Sequence, residues 1–518
     1  MPIERTVDIQ LNVKPVFICL YHDYVYEGPC RFGSGEELEK KYDLMYNQEA
    51  YQLFLKNIKT HLEGKVNLLE PVFVARNEEF QIKEDLLKKI TEDMDKTDVY
   101  LFGQGGRVYD IVVEFAQRFK KPIMFSEPPN PFFTAITASA IIARGLETYP
   151  TLDWDDIIKY MKVLRVRKVL KETRALLASK GNSNISFSTT DSFICLEDVT
   201  KKLGVRFRYV DIHELLDQTH FISPPNSNYT LPGRIGLNPT EEDMEHIKEI
   251  TDKLIAGSLE CHMGREDVFN SVKAYYTVKK MLAHHDCNAF SIPCPDICAT
   301  RRMNEEKITF CLIHSLLNEE GIPSACEYDI PALLAMVILM NFSNAAPYMG
   351  NTFPVPLKNG KRLNVSPRYF RAKESQSTDI YDLSDKENVM LTFHAVPNRK
   401  LRGLEENILP YSIRPYTRDG NWGATIRYDF KQDKDQTITM CRIDPSCTKL
   451  FVARGTIVGG IGYNDKNCSE GVFFTVNDYR DFFKKQVIFG NHIPLVYGDY
   501  FDEIVTLGEV LGLEVITA

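Results

Sequence analysis

Nine consecutive apolar residues, Ala332 to Met340, follow the segment Cys326-Glu327-Tyr328-Asp329-Ile330-Pro331. The run is too short to span a bilayer. It is also too uniformly apolar to belong to a helix with a wet face, so it predicts a helix buried on every side. Pro331 suits the first turn of that helix, and Asp329 is a candidate for its N-cap. Capping accounts for Asp329 as well as chemistry does. Glu327 has no capping role, and it falls where a short strand, Pro323–Cys326, is expected to end. Site residues in α/β folds gather at such strand ends, and a carboxylate carried into an interior is costly unless it is used.

The chain of 518 residues has length for several cores. Its formal net charge of −9 advertises no nucleic-acid partner and no anionic membrane surface. The first residues, MPIERTVDIQLNVK, lack the basic-then-apolar layout of a signal peptide. Twelve cysteines are scattered without a tight framework, as expected of reduced thiols. Together these features point to a cytoplasmic protein.

Residues 15–127 alternate β-rich runs with helical stretches, which predicts a parallel sheet covered on both faces. Gly103-Gln-Gly-Gly106 reads as a tight turn from strand to helix. It lacks the Lys-Ser/Thr pair of a phosphate loop and does not complete G-x-G-x-x-G. A second α/β unit follows, interrupted by a turn-rich loop at 223–232. Beyond Pro347 short β-rich runs separated by Gly, Asp and Asn predict a mostly antiparallel sheet or barrel. The expected fold class is therefore α/β: two doubly wound parallel domains, 1–160 and 161–347, then a β-rich, barrel-like domain, 348–518.

Three polar features deserve comparison with Glu327: Asn351 in Tyr348-Met-Gly-Asn-Thr, His394 in Leu391-Thr-Phe-His, and His492 in Gly490-Asn-His. One carboxylate, one amide and two imidazoles suit a borderline divalent ion such as Mn²⁺. The tract His284-His-Asp-Cys287, with Cys294 and Cys298, matches no common zinc spacing. Arg301-Arg302 is the best local candidate for an anion contact.

The stretch from Ile308 to Phe353, with CEYDIPALLAM at its centre, resembles the L-fucose isomerase and L-arabinose isomerase superfamily. Arabinose isomerases carry Ala-Glu-Gly-Asp before a similar apolar helix, and fucose isomerases Thr-Glu-Asn-Asp. The resemblance implies that Glu327 is a metal ligand and a proton-transfer residue, and that His492 is the last ligand. His394 is similar to the additional histidine of arabinose isomerases, and Asn491 and His394 become expected substrate contacts. The implied protein is a metal-dependent sugar isomerase using Mn²⁺, assembled as a trimer or hexamer. The second family carboxylate falls on Asn351. An amide oxygen can ligate a metal but cannot act as a base at neutral pH. Either Glu327 then works alone, or Asp329, Glu305 or Glu306 substitutes, or the chemistry has changed. The rival readings are an epimerase, lyase or hydrolase of a modified sugar and a non-catalytic sugar-binding protein. An acidic sugar would need Arg301, Arg302 or Arg107 as its positive contact.

Overall fold

A computed structural model describes residues 3–21, 40–77, 84–105, 108–126, 131–179, 193–220, 236–294, 297, 300–355, 357–358, 361–362, 383 and 386–518. The expected loop at 223–232, and Gly106, Arg107 and Cys298, lie outside them. The chain forms two units, Gln10–Arg165 and Met1–Ile9 with Val166–Ala518. Among the described residues no helix is long and apolar enough to cross a membrane.

In the first unit Asn12–Leu20 is buried through its interior positions, as a central strand must be. Val72–Arg76 and Asn67–Leu68 pair along one edge of it and Val99–Gly105 along the other, followed by Ile123–Phe125 and Thr148–Tyr149, all parallel. The helix Tyr109–Phe119 buries Ile111, Val112 and Phe115 against Tyr100 and Phe102. Most of the expected glycine turn is strand instead. Gly103 to Gly105 still belong to the strand, because Gly103 is packed beneath two rings. A Cβ there would meet Phe17 at 2.8 Å and Phe54 at 2.9 Å.

The second unit holds a parallel sheet in the order Ser324–Ala325, Ala289–Ser291, Arg174–Ser179, Arg206–Asp211. It also holds an antiparallel sheet. Asn351–Pro354 pairs with Val389–His394, and the order continues through Glu470–Thr475, Lys449–Ile461, Thr437–Ile443 and Leu495–Tyr497. Antiparallel bridges Tyr348 to Leu495 and Asn351 to His492 join the last strand back to the first, so this sheet closes on itself. Alternation sorts its side chains: Met390, Ile438, Met440, Val472 and Phe474 share one core, while Val389, Leu391 and Phe473 share another.

The apolar run forms the helix Ile330–Ser343, with every residue from Ile330 to Asn341 buried. It packs against Ser324–Ala325 and Ala289–Ser291 of the parallel sheet and against Thr437–Ile443 and Leu495–Tyr497 of the closed one. Having sheet on more than one side is why no face of it is polar. This helix belongs to the unit of Val166–Ala518 with Met1–Ile9. Leu339, wholly buried in it, should cost about 2–5 kcal/mol of stability when replaced by alanine. Urea unfolding of Leu339→Ala checks this, and a loss below about 1 kcal/mol would show the helix to be loosely packed.

Candidate metal centre

The strand Ser324–Ala325 leads into a single 3-10 turn, Cys326–Tyr328. Within it Glu327 has φ 63° and Tyr328 φ 54°, both left-handed without being glycine. Each such residue costs on the order of 1–3 kcal/mol and persists only where its surroundings hold it. The holding bonds are visible. The Tyr328 N–H donates to the Ile292 carbonyl at 3.0 Å, and the Asp329 N–H to the Cys326 carbonyl at 3.3 Å. The effect of the turn is to lift the Glu327 carboxylate off the strand end while Asp329 enters the helix.

Asp329 is wholly buried and has no acceptor capacity left. Its Oδ1 accepts from the Ala332 N–H at 3.0 Å, as N-cap, and from Arg442 at 2.9 Å. Its Oδ2 accepts from Arg442 at 2.9 Å and lies 2.9 Å from His492 Nδ1. A carboxylate offers about four lone-pair sites, and all are taken. Burial pushes its pKa up, but the Arg442 charge and the bond to His492 outweigh that and hold it below the usual carboxylate range. In this structure Asp329 caps the helix, pairs with Arg442 and meets the His492 ring.

Arg442 also donates to the carbonyls of Phe489, at 2.8 Å, and His492, at 2.6 Å. Gly490 makes room for it. A Cβ at that position would lie 2.8 Å from the guanidinium, and φ there is +127°. The Gly-Asn-His segment thus needs its glycine for backbone shape and for close approach to Arg442.

With Asp329 at Nδ1, the His492 ring turns Nε2 toward Glu327, 3.5 Å from Oε2. His394 Nε2 lies 3.1 Å from the other oxygen, Oε1. The His394 backbone is fixed in turn, since its N–H donates to the Tyr348 hydroxyl, which donates to the Glu470 carbonyl, each at 2.8 Å. Ligand atoms of Cys326, Glu327 and His394 all fall within 4.8 Å of one another. Hydrogen bonding to Cys294 lowers the Cys326 thiol pKa, but burial and the Glu327 charge raise it further, so the net shift is upward. Behind the cluster lies His314, wholly buried, with Nδ1 2.7 Å from Ser324 Oγ. Burial, and then the neighbouring His394, push its pKa down to about 3, with Glu327 opposing, so it stays neutral.

This donor set fits a divalent ion. A carboxylate flanked by two imidazoles, one of them oriented by a second carboxylate, is the arrangement by which proteins fix a metal-binding histidine. Cys326, Glu327 and His394 could hold the ion, and His492 presents Nε2 to the same carboxylate.

The structure treats the other expected residues differently. Asn351 and Asn491 are half-buried, and Asn351 Oδ1 accepts from Asn491 Nδ2 at 2.8 Å, beside the bridge to His492. Arg301 is 90% exposed in its side chain and pairs with Glu305. Arg302 is held by Asp217 and Glu306. These arginines and glutamates thus pair with one another, Arg301 with Glu305 and Arg302 with Glu306. Three neighbours escaped the sequence reading. Arg442 shares the alternation of Ile438 and Met440, a charge on an interior-facing position, and that was a signal. His314 was another, a lone imidazole in an apolar helix. Cys326 gave none.

No protein-family model matches the chain, and no curated protein sequence does. Arg442→Met would leave Asp329 buried without its cation, at a cost of about 3–5 kcal/mol. Chemical denaturation measures this. A change under about 1 kcal/mol would mean the pair contributes nothing.

Proposed function

We propose that this chain is a metal-dependent aldose–ketose isomerase acting on an open-chain sugar. The observation that carries the reading is Glu327, held in a strained turn with its two oxygens toward His394 and His492. The resemblance to L-fucose and L-arabinose isomerases supplies the reaction class. It also supports doubly wound parallel layers, a barrel for the closed sheet, a trimer or hexamer and a cytoplasmic setting.

A divalent ion held by Glu327, His394 and His492 would polarise the carbonyl and hydroxyl oxygens of the sugar. Mn²⁺ is the ion the resemblance implies. Glu327 is the residue that moves the proton, taking it from C2 and returning it to C1 on the same face. Asp329 keeps His492 in one tautomer, and Asn351 and Asn491 present amides to substrate hydroxyls. With Asp329 saturated and an amide at 351, the cluster has one carboxylate for this work. One base therefore performs both transfers.

That single carboxylate also favours a second reading, an epimerase or lyase of a modified sugar in which only one proton is moved. Proton exchange in D₂O, followed by NMR on metal-stripped protein with a panel of aldoses, deoxy-sugars and acidic sugars, separates the two. Isomerase action predicts deuterium at the transferred position and a ketose only when Mn²⁺ is added, and loss of both in Glu327→Gln. From a C2-deuterated substrate part of the label should reappear at C1, as one-base transfer requires. Exchange without a ketose would replace the isomerase by the second reading, and Mn²⁺ binding with no exchange would sink both.

The thiol beside the cluster makes a further demand. Sulfur favours Zn²⁺ over Mn²⁺. Calorimetric titration of Cys326→Ser should show Mn²⁺ affinity within about twofold of the parent and Zn²⁺ affinity reduced about tenfold or more. Equal losses for both ions would assign Cys326 to packing.

A further inference from the structure

Two thiols meet at the metal cluster. Cys294 and Cys326 are hydrogen-bond partners, both reduced and both buried. Strand register brings them together. Ala289–Ser291 and Ser324–Ala325 run parallel, with Ser291 opposite Ala325, and each strand ends at that pair. The chain therefore turns away from both strands at the same end of the sheet. One carbonyl fastens the two turns: the Ile292 oxygen accepts from the Cys294 N–H at 2.8 Å and from the Tyr328 N–H at 3.0 Å. The turn carrying Cys294 is thereby pinned to the strained turn carrying Cys326 and Glu327.

The Cys326 sulfur has two sets of neighbours. It lies within 4.8 Å of the ligand atoms of Glu327 and His394, and it bonds with Cys294. A thiolate is a metal ligand, whereas a disulfide sulfur has no charge to offer a cation. One sulfur cannot serve both partners at once. A cation and an oxidant therefore compete for Cys326, and each weakens the hold of the other.

We infer that Cys294 and Cys326 close a reversible disulfide under peroxide and that the bridge releases the metal, the second half resting on the metal-centre reading above. One sulfur displaces hydroxide from hydrogen peroxide and becomes a sulfenic acid. The other sulfur then displaces that hydroxyl and forms the sulfur–sulfur bond. The leaving hydroxides take up the protons of the two thiols, so the pair loses two electrons and two protons while one peroxide becomes two waters. Burial keeps the thiolate scarce, which makes the pair answer to sustained peroxide and not to a brief pulse.

The test uses full-length protein, reduced and stripped of metal. It is treated with hydrogen peroxide, digested without reductant and mapped by mass spectrometry, with Zn²⁺ affinity titrated by calorimetry before and after. A peptide pair joined through Cys294 and Cys326 should appear. Zn²⁺ affinity should fall about tenfold or more, and dithiothreitol should restore it. Zn²⁺ added before peroxide should slow bridge formation about tenfold or more. Cys294→Ser should bind Zn²⁺ within about twofold of the reduced parent, form no bridge to Cys326 and show no loss of affinity that dithiothreitol reverses. The inference is overturned if Cys326 forms no bridge or joins a different cysteine. It is overturned equally if the bridged protein binds Zn²⁺ undiminished, or if Zn²⁺ gives no protection. Failure of the reduced parent to bind Zn²⁺ would overturn the metal-centre reading and the release with it, and the peptide map alone then decides the bridge.

Discussion

A buried ion pair carries the architecture of the centre. Arg442 and Asp329 are both withdrawn from water, a placement whose desolvation cost a pair repays only when every remaining donor and acceptor is also satisfied. Here they are satisfied from two further pieces of chain, the helix start and residues 489–492. The helix start supplies the Ala332 N–H, the Gly-Asn-His segment supplies the His492 ring and carbonyl, and the Phe489 carbonyl takes another guanidinium proton. The pair therefore ties the apolar helix to the closed sheet and orients an imidazole with the same atoms.

The apolar helix and the closure of the sheet solve two halves of one positioning problem. The helix sits against the parallel sheet and the closed sheet of its unit and gives Glu327 a rigid base. The bridges Tyr348 to Leu495 and Asn351 to His492 bring the two ends of the antiparallel sheet together, so residues 140 positions apart meet at Asn351 and Asn491. Just before the helix lies a strained segment, two left-handed residues in succession. Strain placed between elements that cannot relax holds a side chain where a relaxed turn would not.

The economy of carboxylates shapes the chemistry. Four acidic groups are available in the sequence around the centre, and tertiary contacts remove three of them from service. Asp329 is saturated, and Glu305 and Glu306 are paired to arginines. Glu327 is left with the His394 and His492 rings at its two oxygens.

Local pattern was enough for the buried helix, its cap at Asp329 and the placement of Glu327 at a strand end, because periodicity, proline and capping preference act over a few residues. The succession of parallel α/β layers before an antiparallel sheet was legible for the same reason. The glycine turn was misjudged because its strand is prolonged by two rings, Phe17 and Phe54, that come from elsewhere in the chain. The choice between base and anchor for Asp329 depended on Arg442, 113 positions away, and no local property of either residue encodes that distance. Sequence alone determined which of these elements form and where the helix is capped. Tertiary structure decided which carboxylate stays available, because hydrogen-bond saturation is a property of the assembled neighbours and not of the residue that carries the charge.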